Sequence, residues 1–366
     1  MTESIRPFHL VVYSDAAERG GAEMTLAQLI AGLPPEVKVT VVAVDRDVAG
    51  FLAGDRPGTA TELLEPIASR GQVDRMWRHR RLFTRLRPDI VQFNLSMVSS
   101  CQWAIAVALT IPKVRVVVTE NASMGAWSAT SNKLKRLTSP RLAAHVAVGE
   151  ATARIIERDA GLTPGSIGTM HHGVADVRRD LPKSPDTILN VARHDPVKGV
   201  DVLLKAMVDV APGTKLVQIG GGALLDDHKA MAVELGLSDR VEFRDLRWDA
   251  RVADQMAEFA LFVLSSRTEG LPVTVMEAML AGLPIIASDV GSIREEVTPG
   301  ENGLLVPPDD PVALAAAIDE LMADPDRRAA MGRRSREIAE ERFTLEAMVG
   351  RYCDVYRRVL SADGRR

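Results

Sequence analysis

The sequence has few cysteines, few aromatic residues and no long apolar segment. Its two cysteines, Cys101 and Cys353, have neither a metal-ligand spacing nor a close cysteine neighbour, which excludes a disulfide framework and a zinc module. The longest apolar runs, such as 39–44 and 105–109, have the length of a strand and are far shorter than a membrane span. These absences favour a protein of a reducing compartment whose core is formed mainly by aliphatic side chains.

The chain also lacks a signal-peptide pattern and a strong excess of charge. Residues 1–7 are polar and lead directly into an apolar strand pattern, so we expect a cytoplasmic protein. Residues 1–186 hold 23 basic and 19 acidic residues, a net charge of +4, whereas 187–366 hold 22 and 30, a net charge of −8. This division suggests two modules with different partners. The basic excess is too small, without a binding motif, to indicate nucleic-acid binding.

Short runs rich in valine and isoleucine alternate with segments of helical periodicity, which is typical of parallel sheets covered by helices. The first half predicts strands at 8–13, 37–44, 89–93, 114–119 and 144–148, and helices at 21–31, 73–86 and 150–160. After a proline-containing, charged linker at 174–186, the second half predicts strands at 187–192, 215–219, 240–243, 261–264 and 284–287, helices at 200–210, 226–235 and 272–281, and a helical tail from Val312. We therefore expect two doubly wound α/β domains that face each other across a cleft, with ligands beyond the carboxyl ends of the strands.

A loop between a predicted strand and a predicted helix carries the clearest chemistry. Pro272 suits the first turn of a helix, so the amides around Gly270 and Leu271 form a natural anion site. Glu269 precedes this turn, and Glu277 lies five residues after Pro272, roughly 8 Å along the helix axis. This spacing fits one carboxylate at a sugar and one at a ribose, with a diphosphate between them. The alternative is a solvated helix glutamate and an acid that merely favours the helix start.

A second strand-to-helix loop carries two cations, Arg193 and Lys198. Both can point at one anion, arginine as a planar fork and lysine as a mobile charge. The alternative is a pair of surface cations.

Two glycine-rich loops follow predicted strands. Gly20 and Gly21 permit a close backbone approach to a ligand. The other loop, 220–222, has Leu225 in place of the last glycine of a dinucleotide fingerprint, so the sequence does not predict NAD binding.

In this order along the chain, the motifs resemble those of the retaining glycosyltransferases of family 4, which have the two-domain GT-B fold and a Glu-x7-Glu motif. The resemblance is carried by residues 20–23, 88–91, Arg193, 198–199, 220–222, Glu269, Glu277, 282–284, 300–306, Phe343, Tyr352 and Tyr356. It implies an acceptor-binding domain at 1–175, a linker at 176–186, a donor-binding domain at 187–344 and a C-terminal helix at 345–366 that packs towards the first domain.

The resemblance also implies a role for each matching residue. Glu277 is expected to bind the ribose hydroxyls, Glu269 to hold the donor sugar, and Arg193 with Lys198 to neutralise the leaving diphosphate. The other expected substrate-binding residues are Gly270, Leu271 and Pro272 at the sugar and diphosphate, Gly20 and Gly21 at the diphosphate, and Phe243, Arg244 and Leu246 at the base. The family often has glycine where this chain has Arg244, so UDP and GDP both remain open. No metal and no cofactor are expected.

The implied reaction is the transfer of a hexose from a nucleotide diphosphate sugar with retention at the anomeric carbon, the leaving diphosphate taking the acceptor proton. Glu269 as a covalent nucleophile is an alternative within this activity. Two further alternatives keep the fold: a phosphorylase or nucleotide-sugar epimerase, and a non-catalytic sugar-nucleotide binder.

Two features leave the acceptor and the location open. Asn121, expected in the sugar pocket, stands where many relatives carry histidine, and Gln92 and Asn94 occupy a strand end that often bears histidine, so the donor or the acceptor departs from the common case or activity is weak. The basic segment 75–87 holds six arginines and no acid, which is typical either of a helix lying on an anionic membrane or of a solvated sheet-covering helix. Small-molecule, lipid-linked and glycan acceptors all remain open, as does peripheral contact with the inner face of the plasma membrane.

Overall fold

The computed structural model describes residues 5–122, 128–177, 184–244 and 252–362. The chain divides into two compact units, the first formed by Met1–Gly173 with Leu345–Arg366 and the second by Val174–Thr344. Leu246 and residues 178–183 of the predicted linker lie outside the described residues.

The first unit is built on a parallel sheet whose described strands are β1 (Phe8–Ser14), β2 (Val37–Ala43), β3 (Ala60–Leu63), β4 (Ile90–Leu95), β5 (Arg115–Glu120), β6 (Ala144–Ala147) and β7 (Gly168–Thr169). Their order is β3-β2-β1-β4-β5-β6-β7. The helices are α1 (Gly21–Gly32), α2 (Arg46–Ala53), α3 (Val73–Leu86), α4 (Gln102–Ala108), α5 (Ala129–Thr138) and α6 (Glu150–Ala160). Strand β4 is buried at every position, as expected of a strand covered by helices on both faces.

The second unit repeats this architecture with β8 (Thr187–Val191), β9 (Lys215–Ile219), β10 (Val241–Arg244), β11 (Leu261–Leu264), β12 (Ile285–Ser288) and β13 (Gly303–Val306), in the order β10-β9-β8-β11-β12-β13. Its helices are α7 (Val200–Asp209), α8 (Leu225–Glu234), α9 (Val252–Gln255), α10 (Val273–Leu280), α11 (Pro311–Met322) and α12 (Pro325–Arg342). Helix α11 begins at Pro311, a residue that suits the first position of a helix, and the Asp310 carboxylate caps the Ala313 amide.

The last helix, α13 (Leu345–Ser361), returns to the first unit. Tyr356 is fully buried, its ring lies 5.6 Å from that of Phe8, and its hydroxyl donates to Gln92. The hydroxyl of Tyr352 lies 3.3 Å from that of Thr119 on β5. The amphipathic face of α13 therefore completes the core of the N-terminal sheet.

The elements with strong periodicity lie within two residues of their predicted limits, and three strands and four helices were missed among the described residues. The missed strands are β3, β7 and β13, and the missed helices are α2, α4, α5 and α9. Strand β3 lies at the sheet edge and is largely exposed, so it has no apolar run to reveal it. None of the helices that the structure describes has the length and apolarity needed to span a bilayer.

Candidate functional site

The strand order of the second unit reverses between β8 and β11, so the loops after these strands diverge and leave a crevice at the carboxyl edge of the sheet. The loop after β8 carries Arg193 and Lys198, and the loop after β11 carries Glu269. The sheet topology thus brings together two loops about seventy residues apart in sequence.

Lys198 and Glu269 are in direct contact. Lys198 Nζ donates to Glu269 Oε1 at 2.7 Å, and Ser266 Oγ donates to the same oxygen at 2.6 Å. The side chains are 23% and 8% exposed, so this ion pair is largely buried rather than on the open surface. The cation expected at the diphosphate and the carboxylate expected at the sugar are therefore neighbours.

The backbones of the two loops also approach closely at Gly199 and Ser265. Gly199 has a φ of +60°, and a β-carbon there would lie 2.1 Å from the carbonyl oxygen of Ser265. Ser265 Oγ also donates to the Lys198 carbonyl oxygen at 3.3 Å. Only glycine permits this approach, which places Lys198 next to the Glu269 loop.

Arg193 is oriented differently from Lys198. Its Nη2 atom lies 2.8 Å from Asp195 Oδ2 on the same loop, and 52% of its side chain is exposed. The structure therefore pairs Lys198, but not Arg193, with Glu269. An exposed guanidinium on this loop remains accessible to an anion.

The helix after Glu269 begins one residue later than predicted. Pro272 is the N-cap residue, because its ψ of 114° is extended, and α10 starts at Val273. Gly270 and Leu271 are buried in the preceding turn, where the Gly270 carbonyl oxygen accepts from Ser292 N at 2.9 Å. The neighbouring loop thus fixes the turn that precedes α10. The first backbone amides of α10 follow this turn, in an arrangement that suits an anion.

Glu277 lies on the second turn of α10 and is partly buried. Removal of its carboxyl group from water raises the pKa from 4.5 to about 7. A ligand that donates hydrogen bonds to this carboxyl group, such as a pair of vicinal hydroxyls, would stabilise its ionised form. Perturbed carboxyl groups of this kind are enriched at functional sites.

Phe243 and Arg244, two of the residues predicted to contact the nucleotide base, are the last two residues of β10. The Phe243 ring lies 5.8 Å from that of His194, which follows Arg193. Arg244 forms two hydrogen bonds to Glu242, at 2.7 and 3.1 Å, so its guanidinium is already engaged.

Three predicted substrate-binding residues lie in the first unit. Gly20 caps α1 in an ordinary extended conformation, its amide donating to Glu23 Oε2 at 3.2 Å, and Gly21 is the first helical residue. Asn121 follows β5 and donates from Nδ2 to Asn94 Oδ1 at 2.9 Å and to a strand carbonyl oxygen. Their part in donor or acceptor binding stays a prediction.

Sequence reasoning missed two residues that organise this site, Ser266 and Arg267. Ser266 is fully buried against Glu269, and Arg267 links both loops to Asp201. Their position beside Glu269 was visible in the sequence, but their partners were not. In the part of the chain that the structure describes, no cluster of three or more histidine, cysteine or acidic side chains is arranged to hold a metal ion.

Curated relatives are similar to this chain over part of its length. The D-inositol 3-phosphate glycosyltransferase of Streptomyces avermitilis is 30% identical over 227 residues, which are 55% of this chain and 49% of that protein. The GDP-mannose-dependent alpha-(1-6)-phosphatidylinositol monomannoside mannosyltransferase of Mycolicibacterium smegmatis is 32% identical over 155 residues, 40% of this chain and 41% of that protein. The chain thus spans about half the length of the curated relatives it matches.

Solved structures share the fold over nearly the whole chain. The HepE protein of Anabaena, solved with UDP, superposes with a TM-score of 0.83 at 20% identity and covers 95% of this chain and 99% of its own. The sucrose-phosphate synthase of Thermosynechococcus elongatus superposes with a TM-score of 0.79 at 20% identity, covering 97% and 100%.

Two protein-family models divide the chain between them. The model described as Glycosyltransferase Family 4 matches residues 19–178, and the model described as Glycosyl transferases group 1 matches residues 175–338. With two parallel-sheet domains of the GT-B type and both halves matched in order, the chain belongs to glycosyltransferase family 4.

Proposed function

We propose that this protein is a retaining hexosyltransferase that uses a UDP- or GDP-linked sugar as donor. The observation that carries this proposal is the Lys198–Glu269 contact at the switch point of the second sheet, beside the N-terminus of α10. A cation, a carboxylate and free helix amides at one crevice match the three parts of a sugar diphosphate: its leaving charge, its hydroxyls and its phosphate oxygens.

In this mechanism the acceptor oxygen forms a bond to the anomeric carbon as the bond from that carbon to the diphosphate oxygen breaks. The departing diphosphate takes the acceptor proton on the same face of the sugar. Lys198, Arg193 and the first amides of α10 stabilise the charge that develops on the diphosphate, and Glu269 orients the sugar by its hydroxyls. Two donors already bind Glu269 Oε1, which reduces the nucleophilicity of this oxygen. We therefore assign Glu269 the role of a hydrogen-bond acceptor and not that of a covalent nucleophile.

Glu277 is proposed to bind the ribose, and its environment supports this role. Burial raises the pKa of its carboxyl group to about 7, so hydrogen bonds donated by the ribose hydroxyls would stabilise the ionised form. The positive charge of Lys198 and Arg193 takes the part that a divalent cation plays in other transferases, so we expect turnover to persist in EDTA.

Both nucleotides are reasonable probes. The Anabaena neighbour was solved with UDP and with UDP-glucose, and the mycobacterial relatives are named for GDP-mannose. A thermal-shift screen with UDP, UDP-glucose, GDP and GDP-mannose should give a clear rise in Tm for one pair, since a ligand at a hundred times its Kd stabilises by about 2.7 kcal/mol. The Glu277→Ala variant serves as the control and should lose most of this shift.

Two outcomes would change the proposal. Binding of no nucleotide sugar by the folded protein would refute it. Tight binding without nucleotide release over a panel of small-molecule, lipid-linked and glycan acceptors would instead favour a sugar-nucleotide binder. With a productive acceptor, the anomeric configuration of the product, measured by proton NMR, distinguishes retention from inversion.

We also propose that α3 contacts an anionic membrane surface. Trp77 and Val73 are 59% and 66% exposed, one helical turn apart, and the Arg81 guanidinium lies 5.3 Å from the Trp77 ring. Arg80 and Arg81 are exposed as well. An exposed tryptophan beside arginines is typical of an interfacial helix.

Acidic residues limit the strength of this surface. Arg75 Nε lies 3.1 Å from Glu65 Oε2, and Arg85 Nη2 lies 2.6 Å from Glu62 Oε1. We therefore expect weak, salt-sensitive sedimentation with vesicles of phosphatidylglycerol and none with phosphatidylcholine vesicles. The double variant Arg80→Glu, Arg81→Glu should abolish it. Equal sedimentation of the variant and the wild type would contradict the proposal.

A further inference from the structure

Arg267 lies between Ser266 and the Glu269 turn and connects the loops of the candidate site. Its backbone amide donates to the Val197 carbonyl oxygen at 2.8 Å, and its Nη1 atom donates to the Pro196 carbonyl oxygen at 2.6 Å. Both acceptors belong to the loop that carries Lys198. The residue therefore joins the backbone of the Glu269 loop to the backbone of the Lys198 loop without contacting the Lys198 ammonium or the Glu269 carboxylate.

Two aspartates hold the guanidinium in place. Asp201, in the first turn of α7, accepts from Nη1 at 2.8 Å and from Nη2 at 2.9 Å, in a bidentate fork. Asp309, after β13, accepts from Nε at 2.6 Å. Asp309 has a φ of +58°, a conformation rare for a residue with a side chain, and this turn carries its carboxylate to Arg267.

We propose that Arg267 is a positioning residue that, fixed by Asp201 and Asp309, sets the spacing between Lys198 and Glu269. The proposal rests on the proposed function, in which these two side chains serve the diphosphate and the sugar of one donor. When a donor binds, Lys198 must exchange Glu269 for a phosphate oxygen. Arg267 then keeps the loop backbone in place while the lysine side chain moves.

The chemistry of this contact requires arginine. The planar guanidinium donates to a bidentate carboxylate, to a second carboxylate and to a carbonyl oxygen at the same time, which a lysine ammonium cannot reproduce with its compact geometry. The pair with Arg267 lowers the pKa of Asp201, so the fork is ionised over the whole physiological range.

Hydrogen exchange measured without ligand tests the positioning directly. Arg267→Met should speed amide exchange in residues 193–200 by roughly tenfold, the change expected when charge-assisted hydrogen bonds are lost. Exchange in β9 should stay unchanged. Arg327→Met is the matched control, because Arg327 makes a similarly exposed ion pair with Glu320, at 2.6 Å, away from these loops. Unchanged exchange in 193–200 would overturn the proposal.

Steady-state kinetics separate positioning from a general structural role. In Arg267→Met we expect kcat to fall by about a hundredfold, because small misplacements of reacting groups cause losses of this size. The Kd for UDP or GDP alone should change by less than about threefold. Arg267→Lys should recover little of the lost kcat, and Asp201→Glu should retain a higher kcat than Asp201→Ala. Equal losses of kcat and of nucleotide affinity would contradict positioning.

Nucleotide-sugar binding and the exchange of the Lys198 loop are measured independently of each other. If the wild-type protein binds neither UDP-glucose nor GDP-mannose, the proposed function fails while the exchange experiment still decides whether Arg267 fixes the loop. If Arg267→Met does not fold, Asp309→Asn weakens the Nε contact from the opposite side, because it removes the carboxylate charge and keeps the acceptor oxygen, and it should give a smaller increase of exchange in the same peptide.

Discussion

The Lys198 ammonium lies 2.7 Å from Glu269 Oε1, so the candidate site pairs two charges that the proposed reaction uses on opposite parts of the donor. Each charge partly compensates the other for the water that it has lost at this largely buried position. The donor then competes with an internal ion pair, and this competition predicts opposite effects for the two residues.

Replacement of Lys198 by methionine should lower kcat by roughly a hundredfold to a thousandfold, because the leaving diphosphate loses its nearest cation. Its UDP or GDP affinity should also fall. Glu269→Gln should weaken binding of the nucleotide sugar but leave the affinity for the free nucleotide equal or higher, since Lys198 is released. Isothermal titration of both ligands to both variants measures this. A loss of free-nucleotide affinity in Glu269→Gln would show that the carboxylate does not restrain Lys198.

The pKa of Glu277, raised to about 7 by burial, predicts a pH dependence. The folded state holds this proton more tightly than the unfolded state, so its contribution to the free energy of unfolding is complete below pH 4.5 and is lost as pH rises through 7. If ribose hydroxyls bind the carboxylate, affinity for a nucleotide sugar should rise between pH 5 and 7 and then level off.

Glu277→Gln is the control for this prediction, and its affinity should be lower and nearly independent of pH. A nucleotide diphosphate sugar such as UDP-glucose is the suitable probe, because both of its phosphate groups are esterified on either side and neither has a second ionisation in this range. If the wild-type and Glu277→Gln affinities follow the same pH curve, Glu277 does not bind the ribose in its ionised form.

The approach of Gly199 to Ser265 predicts a large effect of a single methyl group. Gly199→Ala should cost much more stability than Gly236→Ala, although both glycines have positive φ, +60° and +71°. The left-handed conformation alone costs an alanine about 1–2 kcal/mol. At Gly236 a β-carbon meets nothing within 4 Å, whereas at Gly199 it meets a carbonyl oxygen at 2.1 Å. Urea unfolding of the two variants measures the difference, and equal losses would contradict the close approach.

The fold was accessible from the sequence where periodicity was strong. Helix α6 and strands β9 and β11 have the predicted limits, because buried parallel strands and amphipathic helices leave a local pattern. The pairing of Lys198 with Glu269 left no such pattern, since it depends on which strands become neighbours. Arg267 was equally hidden, because an arginine in a polar loop looks the same whether it is solvated or bound by two aspartates.

Glu296 offers a test outside the proposed chemistry. It is 1% exposed, and neither carboxylate oxygen accepts a hydrogen bond within the described part of the chain. Burial, assisted by the negative charges of Glu269 and Glu295, raises its pKa well above 4.5, against the opposing effect of Arg342. The folded state must therefore keep a proton that the unfolded state releases, and stability falls as pH rises above 4.5.

We expect Glu296→Met to raise the free energy of unfolding by about 1–3 kcal/mol at pH 8, the cost of an unsatisfied buried polar group. The gain should be smaller at pH 5, where the carboxyl group of the unfolded state is itself partly protonated. Glu234→Met, at an exposed position, is the control and should change stability little at either pH. Chemical unfolding followed by circular dichroism at both pH values provides the measurement. A loss of stability in Glu296→Met at both would mean that the buried carboxyl group is bound by a partner and contributes to the fold.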